Sequence, residues 1–222
     1  MTSLNLLLSE QSQTHSQYVT ETGHVLSAWS RSSAKRSFDV VCVLCSLPFS
    51  LPLLLAVGFA VRLSSHGPIL FRQQRVGRNG RPFTIFKFRT MPVADRPDDR
   101  PTVTTAVNQQ FTPIGRILRN WKLDELPQIL NVFRGEMSLV GPRPKLANHQ
   151  LGPMLCRPGI TGRATHAFAR EELLLAAIPS EDLDQYYFEV VLPFKQTLDD
   201  QYMARATFMS DLVLLVKSAL GK

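Results

Sequence analysis

A long uncharged stretch near the start of the chain constrains the fold most. Residues 40–61, VVCVLCSLPFSLPLLLAVGFAV, are 22 consecutive residues without a charged side chain. The hydrocarbon core of a bilayer is ~30 Å thick and takes about 20 apolar helical residues, so the stretch predicts a membrane helix. A straight span, a segment that enters and leaves on one side, and a buried core helix are all compatible with this composition.

Two features favour the segment that enters and leaves on one side. Pro48 and Pro52 follow closely on Ser46 and Ser50, and a proline in a helix removes a backbone hydrogen bond and bends the axis. Serine hydroxyls can bond the carbonyls that this frees. Basic residues flank both ends of the stretch, and the positive-inside rule places both ends on the cytoplasmic face. We therefore expect a re-entrant helix that is broken at residues 46–52.

The charge distribution indicates an anionic partner. Residues 31–90 contain ten basic residues and one acid, Asp39, so this third of the chain carries +9 while the whole chain carries +7. No recognised nucleic-acid-binding motif accompanies this charge, which argues against a nucleic-acid partner. Because the charge lies beside the apolar stretch, anionic phospholipids or a phosphorylated substrate are the expected partners.

Composition divides the chain into three parts. Residues 1–34 are mostly polar and predict a weakly ordered extension, residues 35–66 hold the re-entrant helix, and residues 67–222 read as a cytoplasmic domain. Cys42 and Cys45 form a CxxC inside the apolar stretch, which predicts packing rather than redox chemistry. Together with Cys156 they form no disulfide framework, as is typical of a reducing cytoplasm.

The soluble part mixes a small sheet with helices. Apolar residues recur at 83, 85, 86 and 88 after an Asn79-Gly80 turn, which predicts a hairpin or small sheet. A Pro-rich, acidic loop follows at residues 92–101, and helical patterns follow that loop. The sequence thus predicts an α+β, helix-rich fold with a small sheet or hairpin.

Two adjacent carboxylates form the first candidate site. Asp124 and Glu125 stand before Pro127 in NWKLDELPQILNVF, where leucines at helical spacing place both acids in the first turn of a helix. Acids there can simply complement the helix dipole. Downstream, Arg143 lies between Pro142 and Pro144 in a Gly-Pro-Arg-Pro sequence. The two prolines restrict the backbone, which predicts either a simple rigid turn or a loop that holds the guanidinium against a phosphate.

Six motifs occur in an order that resembles a known family. KRSFD, the Ser/Pro-interrupted apolar stretch, KFRTM, LDELPQ, MSLVGPRP and RPGITG resemble the bacterial sugar transferases, which are monotopic phosphoglycosyl transferases. The resemblance covers residues 34–222. It implies an enzyme of the bacterial inner membrane, with its catalytic domain on the cytoplasmic face. Such an enzyme moves a sugar 1-phosphate from a nucleotide diphosphate sugar, usually a UDP-sugar, to undecaprenyl phosphate and releases UMP.

The resemblance also implies roles for individual residues. Neighbouring helical residues point about 100° apart, so the two acids suit different tasks. We assign Asp124 as the nucleophile of a covalent phosphosugar intermediate and Glu125 as the ligand of a Mg²⁺ cofactor. The expected substrate- and phosphate-binding residues are Lys87, Arg89, Arg143, Pro144 and Arg170.

The sequence departs from the family pattern after RPGITG. RATHAFAREELL replaces the usual Gly-Arg-Asn, so Arg170 stands one residue from the expected place, and residues 171–198 read as an enlarged connection. His166 is expected to be a satisfied polar residue, and Asp211 is expected to cap the last helix. The alternative function is a membrane-anchored basic binding or scaffold protein without catalysis, and a homo-oligomer is compatible with either function.

Overall fold

The computed structural model describes residues 26–92, 111–169, 171–179 and 181–221. Residues 1–25 of the predicted extension and 93–101 of the predicted acidic loop lie outside the described residues. The helices are α1 (Ala28–Arg31), α2 (Ser33–Ser64), α3 (Pro113–Asn120), α4 (Ile129–Arg134), α5 (Arg163–Ala167), α6 (Glu171–Ala176), α7 (Leu183–Tyr186), α8 (Leu192–Arg205) and α9 (Phe208–Ala219); the strands are β1 (Leu70–Val76), β2 (Pro82–Phe88), β3 (Ser138–Val140) and β4 (Gly159–Thr161). The prediction of a helix-rich fold with small sheets is confirmed.

The apolar stretch forms one continuous helix. Helix α2 runs for 32 residues with Pro48 and Pro52 inside it, so the break expected at residues 46–52 does not interrupt the helix. The φ angle of proline is compatible with a helix, and only the missing N–H and the ring oppose it. Ser46 donates to the Val43 carbonyl at 2.8 Å. Within the described part of the chain, α2 is the helix that is long and apolar enough to cross a bilayer. The re-entrant path stays a prediction.

Helix α2 is buried along one side only. Near its start Val43 packs with Phe83 and Ile85, and near its end Val61 packs with Phe88 and Leu118. The opposite side exposes large apolar side chains, at Val41, Leu44, Phe49, Leu55, Phe59 and Leu63. The start and the end of this helix therefore rest on the same folded domain.

The predicted hairpin is present. Strands β1 and β2 pair antiparallel from Leu70 opposite Phe88 to Val76 opposite Pro82. Asn79 and Gly80 have φ angles of 56° and 74°, the left-handed conformation that this dipeptide readily adopts in turns. Lys87 therefore lies near the end of β2 that is farthest from the turn.

A second, parallel pair of short strands positions the Gly-Pro-Arg-Pro loop. Strand β3 pairs with β4, and the Gly141 N–H donates to the Thr161 carbonyl at 2.9 Å. A Cβ at Gly159 would lie 2.1 Å from the Gly141 nitrogen, so only glycine permits this approach. The RPGITG sequence therefore holds in place the backbone that leads to Arg143.

A buried polar network joins the start of α2 to α9. The Asp211 carboxylate, which is fully buried, accepts hydrogen bonds from Trp29 and Tyr202, each at 2.8 Å, and forms an ion pair with Lys35. The expectation that Asp211 caps the last helix is wrong, because the Thr207 hydroxyl caps α9 through the Ser210 N–H. Asp211 instead binds segments that are distant in sequence.

We expect Asp211→Asn to destabilise the folded domain by about 3–5 kcal/mol, because it leaves the Lys35 ammonium buried without its counter-charge. The free energy of unfolding in detergent, from denaturant titration, measures the effect. Asp184→Asn, at an exposed position, is the matched control and should stay within about 0.5 kcal/mol of the wild type. Equal stabilities for the two variants would contradict a structural role for the pair.

Candidate active site

Three segments meet at the carboxylate of Glu125. Lys87 on β2 donates to Glu125 Oε1 at 2.7 Å, and Arg143 Nη2 in the Gly-Pro-Arg-Pro loop donates to the same oxygen. Glu125 itself lies in the 3₁₀ helix Leu123–Gln128, which leads into α4. The acids thus lie in the first turn of a helix as expected, and this helix is a 3₁₀ helix that precedes α4. The structure confirms that Lys87, Glu125 and Arg143 lie together.

The two acids have opposite electrostatic environments. Burial alone raises the pKa of Glu125, but the charges of Arg143 and Lys87 outweigh burial and hold its pKa well below the ordinary value. For Asp124, burial is the largest effect and raises the pKa, with the repulsion of Glu125 adding to it against the opposing charge of Lys87. Glu125 is therefore a stable anion, whereas Asp124 is a more basic carboxylate.

Asp124 keeps an acceptor without a partner. Its side chain is buried, and within the described residues no donor bonds its Oδ1 atom. A buried oxygen that lacks a hydrogen bond normally costs free energy, and such atoms are concentrated at functional sites. The arrangement leaves one oxygen of Asp124 ready for a bond to a substrate or a cation.

Arg143 lies in a constrained loop between two buried prolines, Pro142 and Pro144. Its guanidinium is partly exposed, with 43% of the side chain accessible. The charge of Glu125 is the largest effect on Arg143 and raises its pKa, and Asp124 and Glu171 add to the increase. Arg143 therefore borders both the acid pair and the surface from which a ligand would approach.

Arg89 occupies a different position from Lys87. The structure places its guanidinium at the end of α2, where Nη2 donates to the Ser65 carbonyl at 2.7 Å and to the Ser65 hydroxyl at 2.8 Å. Its bonds thus go to α2 and not to the carboxylates of the acid pair. Arg170, the last of the expected phosphate-binding residues, lies outside the described residues.

Sequence reasoning missed charged groups beside Arg143. Burial and the charge of Arg143 lower the pKa of Arg75 to about 10. Lys195 pairs with Glu171, and its ammonium lies 5.2 Å from the Phe168 ring centroid and 5.4 Å from that of Tyr187. Arg75 belongs to the basic stretch and Lys195 to the enlarged connection, but no local pattern singled out either one.

The acid pair suits a magnesium ion that is shared with a substrate. Mg²⁺ keeps several water ligands and binds through one or two carboxylates plus substrate phosphates, so a larger protein cage is not needed. The unpartnered Asp124 Oδ1 and the ionised Glu125 fit this donor set. Within the described ranges no cluster of three or more metal-ligating side chains exists.

His166 bonds neighbouring structural groups. Its Nε2 atom lies 2.9 Å from the Ser218 hydroxyl and 3.2 Å from the Thr161 hydroxyl. These contacts connect α5 with α9 and β4, and they agree with the expectation of a satisfied polar residue.

The sequence is similar to those of known proteins. The sequence profile of the family described as bacterial sugar transferase matches residues 30–221. The undecaprenyl-phosphate glucose phosphotransferase of Komagataeibacter xylinus is 41% identical over 162 residues, which cover 67% of this chain and 30% of that protein. The UDP-glucose:undecaprenyl-phosphate glucose-1-phosphate transferase of Caulobacter vibrioides is 44% identical over 142 residues, which cover 59% of this chain and 52% of that protein.

A third relative is shorter. The exopolysaccharide production protein PSS of Rhizobium leguminosarum bv. phaseoli is 40% identical over 144 residues, which cover 59% of this chain and 72% of that protein. The chain thus spans about a third to a half of the length of the first two relatives and more of the third.

Proposed function

The chain belongs to the bacterial sugar transferase family, and from this premise we propose that it transfers a sugar 1-phosphate from a UDP-sugar to undecaprenyl phosphate and releases UMP. The relatives named for this reaction support the donor and the acceptor. The exopolysaccharide relative supports a role in starting the synthesis of an exopolysaccharide, capsule or glycan. The reaction takes place at the cytoplasmic face of the bacterial inner membrane.

The observation that carries the proposal is the electrostatic difference between the two adjacent acids. Two cations hold Glu125 ionised, while its neighbour Asp124 is buried, has a raised pKa and has one oxygen without a partner among the described residues. A basic, poorly solvated carboxylate is the better nucleophile of the two. Asp124 therefore attacks, and Glu125 supplies a fixed negative charge.

The reaction has two steps on Asp124. In the first, an Asp124 oxygen bonds the phosphorus that carries the sugar, the bond from that phosphorus to the bridging oxygen breaks, and UMP leaves with the electron pair. In the second, an oxygen of the lipid phosphate bonds the same phosphorus and the Asp124 carboxylate leaves. Arg143 and Lys87 lie where they can bind the phosphoryl oxygens during both steps.

The covalent intermediate tests the proposal directly. We expect the wild-type protein to release one equivalent of UMP from a UDP-sugar that supports turnover before lipid is added, and to gain the mass of a sugar phosphate. Asp124→Asn keeps the shape but removes the nucleophilic charge, so it should fold and show no adduct, with UMP release at least ~10³-fold slower. Intact-protein mass spectrometry and a UMP assay over a panel of UDP-sugars measure both. Kinetics that require a ternary complex, with no adduct, would show that Asp124 is not the nucleophile.

Glu125 would hold Mg²⁺ at the pyrophosphate. When bound, this ion would neutralise phosphoryl oxygens that otherwise repel the carboxylate of Asp124. Lys87 and Arg143 both donate to Glu125 Oε1, and an ion on Glu125 would weaken these bonds and let both side chains turn towards the phosphates.

We expect EDTA to abolish UMP release and added Mg²⁺ to restore it. Glu125→Gln should stay folded and lose at least about 100-fold in turnover, since several kcal/mol of charge stabilisation disappear. Glu189→Gln, at an exposed position, is the control and should match the wild type. Full turnover in the presence of EDTA would exclude the ion from the reaction.

The contacts of α2 support the proposed re-entrant path. Lys35 near its start pairs with Asp211, and Val61 near its end packs against Phe88 and Leu118. A straight transmembrane helix would carry one of these ends to the far side of the bilayer, ~30 Å away from a domain on the near side. The exposed apolar side of α2 then faces lipid while both ends stay with the domain.

Cysteine labelling tests this path. In a variant without the native cysteines, Ala34→Cys and His66→Cys introduce thiols at exposed positions before and after the apolar stretch. Both should react with an impermeant maleimide in inverted membrane vesicles and stay protected in intact spheroplasts. Labelling of the two positions from opposite sides would establish a straight span. Pro48→Ala together with Pro52→Ala should shift the labelling towards that pattern, because it restores the two backbone N–H groups that the prolines lack and favours a straight helix, which over 22 residues is ~33 Å long.

A further inference from the structure

Arg89 is a buried cation with most of its hydrogen-bonding capacity unused. Only 5% of the residue is exposed, and within the described part of the chain its Nε and Nη1 atoms have no hydrogen-bond partner. Nη2 alone is bonded, to two neutral oxygens of Ser65. Among the described residues, no ion pair joins Arg89 to a carboxylate.

Such a group needs an anion. Burying a charge without a counter-charge costs several kcal/mol, and neutral oxygens offset only part of that cost. A guanidinium presents five N–H donors in a planar fork that matches a phosphate. Each of the two unpartnered nitrogens carries at least one donor, so Arg89 can donate to an oxygen of a phosphate group without giving up Ser65.

The position of Arg89 separates it from the donor-binding cations. Lys87 and Arg143 bond Glu125, whereas Arg89 bonds the end of α2. Residues i and i+2 of an extended chain are ~7 Å apart, so the backbone of Arg89 still lies close to that of Lys87. A phosphate on Arg89 would therefore bind a cation other than the two that contact Glu125, on the same strand-end segment as Lys87.

The surroundings of Arg89 suit a lipid phosphate. Its predecessor Phe88 packs between the last turns of α2 and helix α3. Large apolar side chains are exposed on and directly after these helices, with Leu63 on α2 at 71% and Trp121 directly after α3 at 75% accessibility. An acceptor with a long apolar chain can lie along such groups while its charged end reaches the end of α2.

We propose that Arg89 binds the phosphate group of the polyprenyl acceptor, whereas Lys87 and Arg143 bind the pyrophosphate of the donor. This inference rests on the proposed function and assigns Arg89 to the second step alone. In the second step, one oxygen of the acceptor phosphate bonds the phosphorus held on Asp124, and the bond from that phosphorus to the carboxylate oxygen breaks. Arg89 meanwhile bonds the acceptor oxygens that do not attack.

Arg89→Gln tests whether Arg89 acts in the second step alone, because the two steps can be measured separately. Without acceptor, the variant should release UMP and form the covalent adduct to the same extent as the wild type, with the donor KM within about twofold. With undecaprenyl phosphate, loss of charged hydrogen bonds to phosphate should raise the acceptor KM or slow discharge of the adduct by about 10- to 100-fold. Arg72→Gln is the matched control and should change neither step, because Arg72 lies exposed on the partner strand, 5.9 Å from the Phe86 ring centroid.

Arg89→Lys decides the question if the glutamine variant does not fold, since it keeps the buried charge but loses the planar fork. It should raise the acceptor KM at least threefold and leave the donor KM unchanged. A folded Arg89 variant that loses the UMP burst, or that matches the wild type in both steps, would overturn the assignment. A wild-type protein that releases no UMP from any UDP-sugar would instead contradict the proposed function, and with it the assignment of Arg89 to the acceptor phosphate.

Discussion

The carboxylate of Glu125 is the point on which the site depends. One of its oxygens accepts from Lys87 on the hairpin and from Arg143 in the constrained loop, while its backbone belongs to the 3₁₀ helix before α4. These three segments are far apart in sequence and meet through one ionised group. Because two cations share this anion, their charges offset those of the two acids that lie at its centre.

The same arrangement makes neighbouring acids unequal. Glu125 is paired, so it contributes a fixed charge, while Asp124 is buried beside it and one of its oxygens meets no donor in the part of the chain that the structure describes. The two carboxylates have different neighbours because the side chains of successive residues in a helical turn point to different sides of the helix. Adjacent carboxylates that shared both cations would both be weak nucleophiles. Lys87 and Arg143 both bond Glu125, and this supports the proposed role of Asp124 as the nucleophile.

The sequence predicted the parts of the structure that depend on local pattern. The hairpin, its Asn79-Gly80 turn and the meeting of Lys87 with the acid pair follow from alternation, turn chemistry and motif resemblance. The role of Asp211 and the position of Arg89 did not follow, because each depends on a partner that is remote in sequence. An acid near a helix start looks like a cap in sequence, and only the packing of α2 on α9 makes it the counter-charge of Lys35.

The polar groups at the start of α2 bear on how an apolar helix can belong to a folded domain. Lys35 and Asp39 are buried in the domain, where Asp39 accepts from the Ser138 hydroxyl at 2.8 Å and from the Leu139 N–H at 3.2 Å. These bonds fix the rotation of α2 about its axis, because charged groups cannot turn towards lipid without losing their partners. The end of α2 is fixed in turn by Arg89, which bonds Ser65. A helix held by charged groups at both ends is therefore oriented by the domain. The proposed acceptor phosphate would bind at the end of α2, where Arg89 has no counter-charge among the described residues, whereas Lys35 at the start is paired with Asp211.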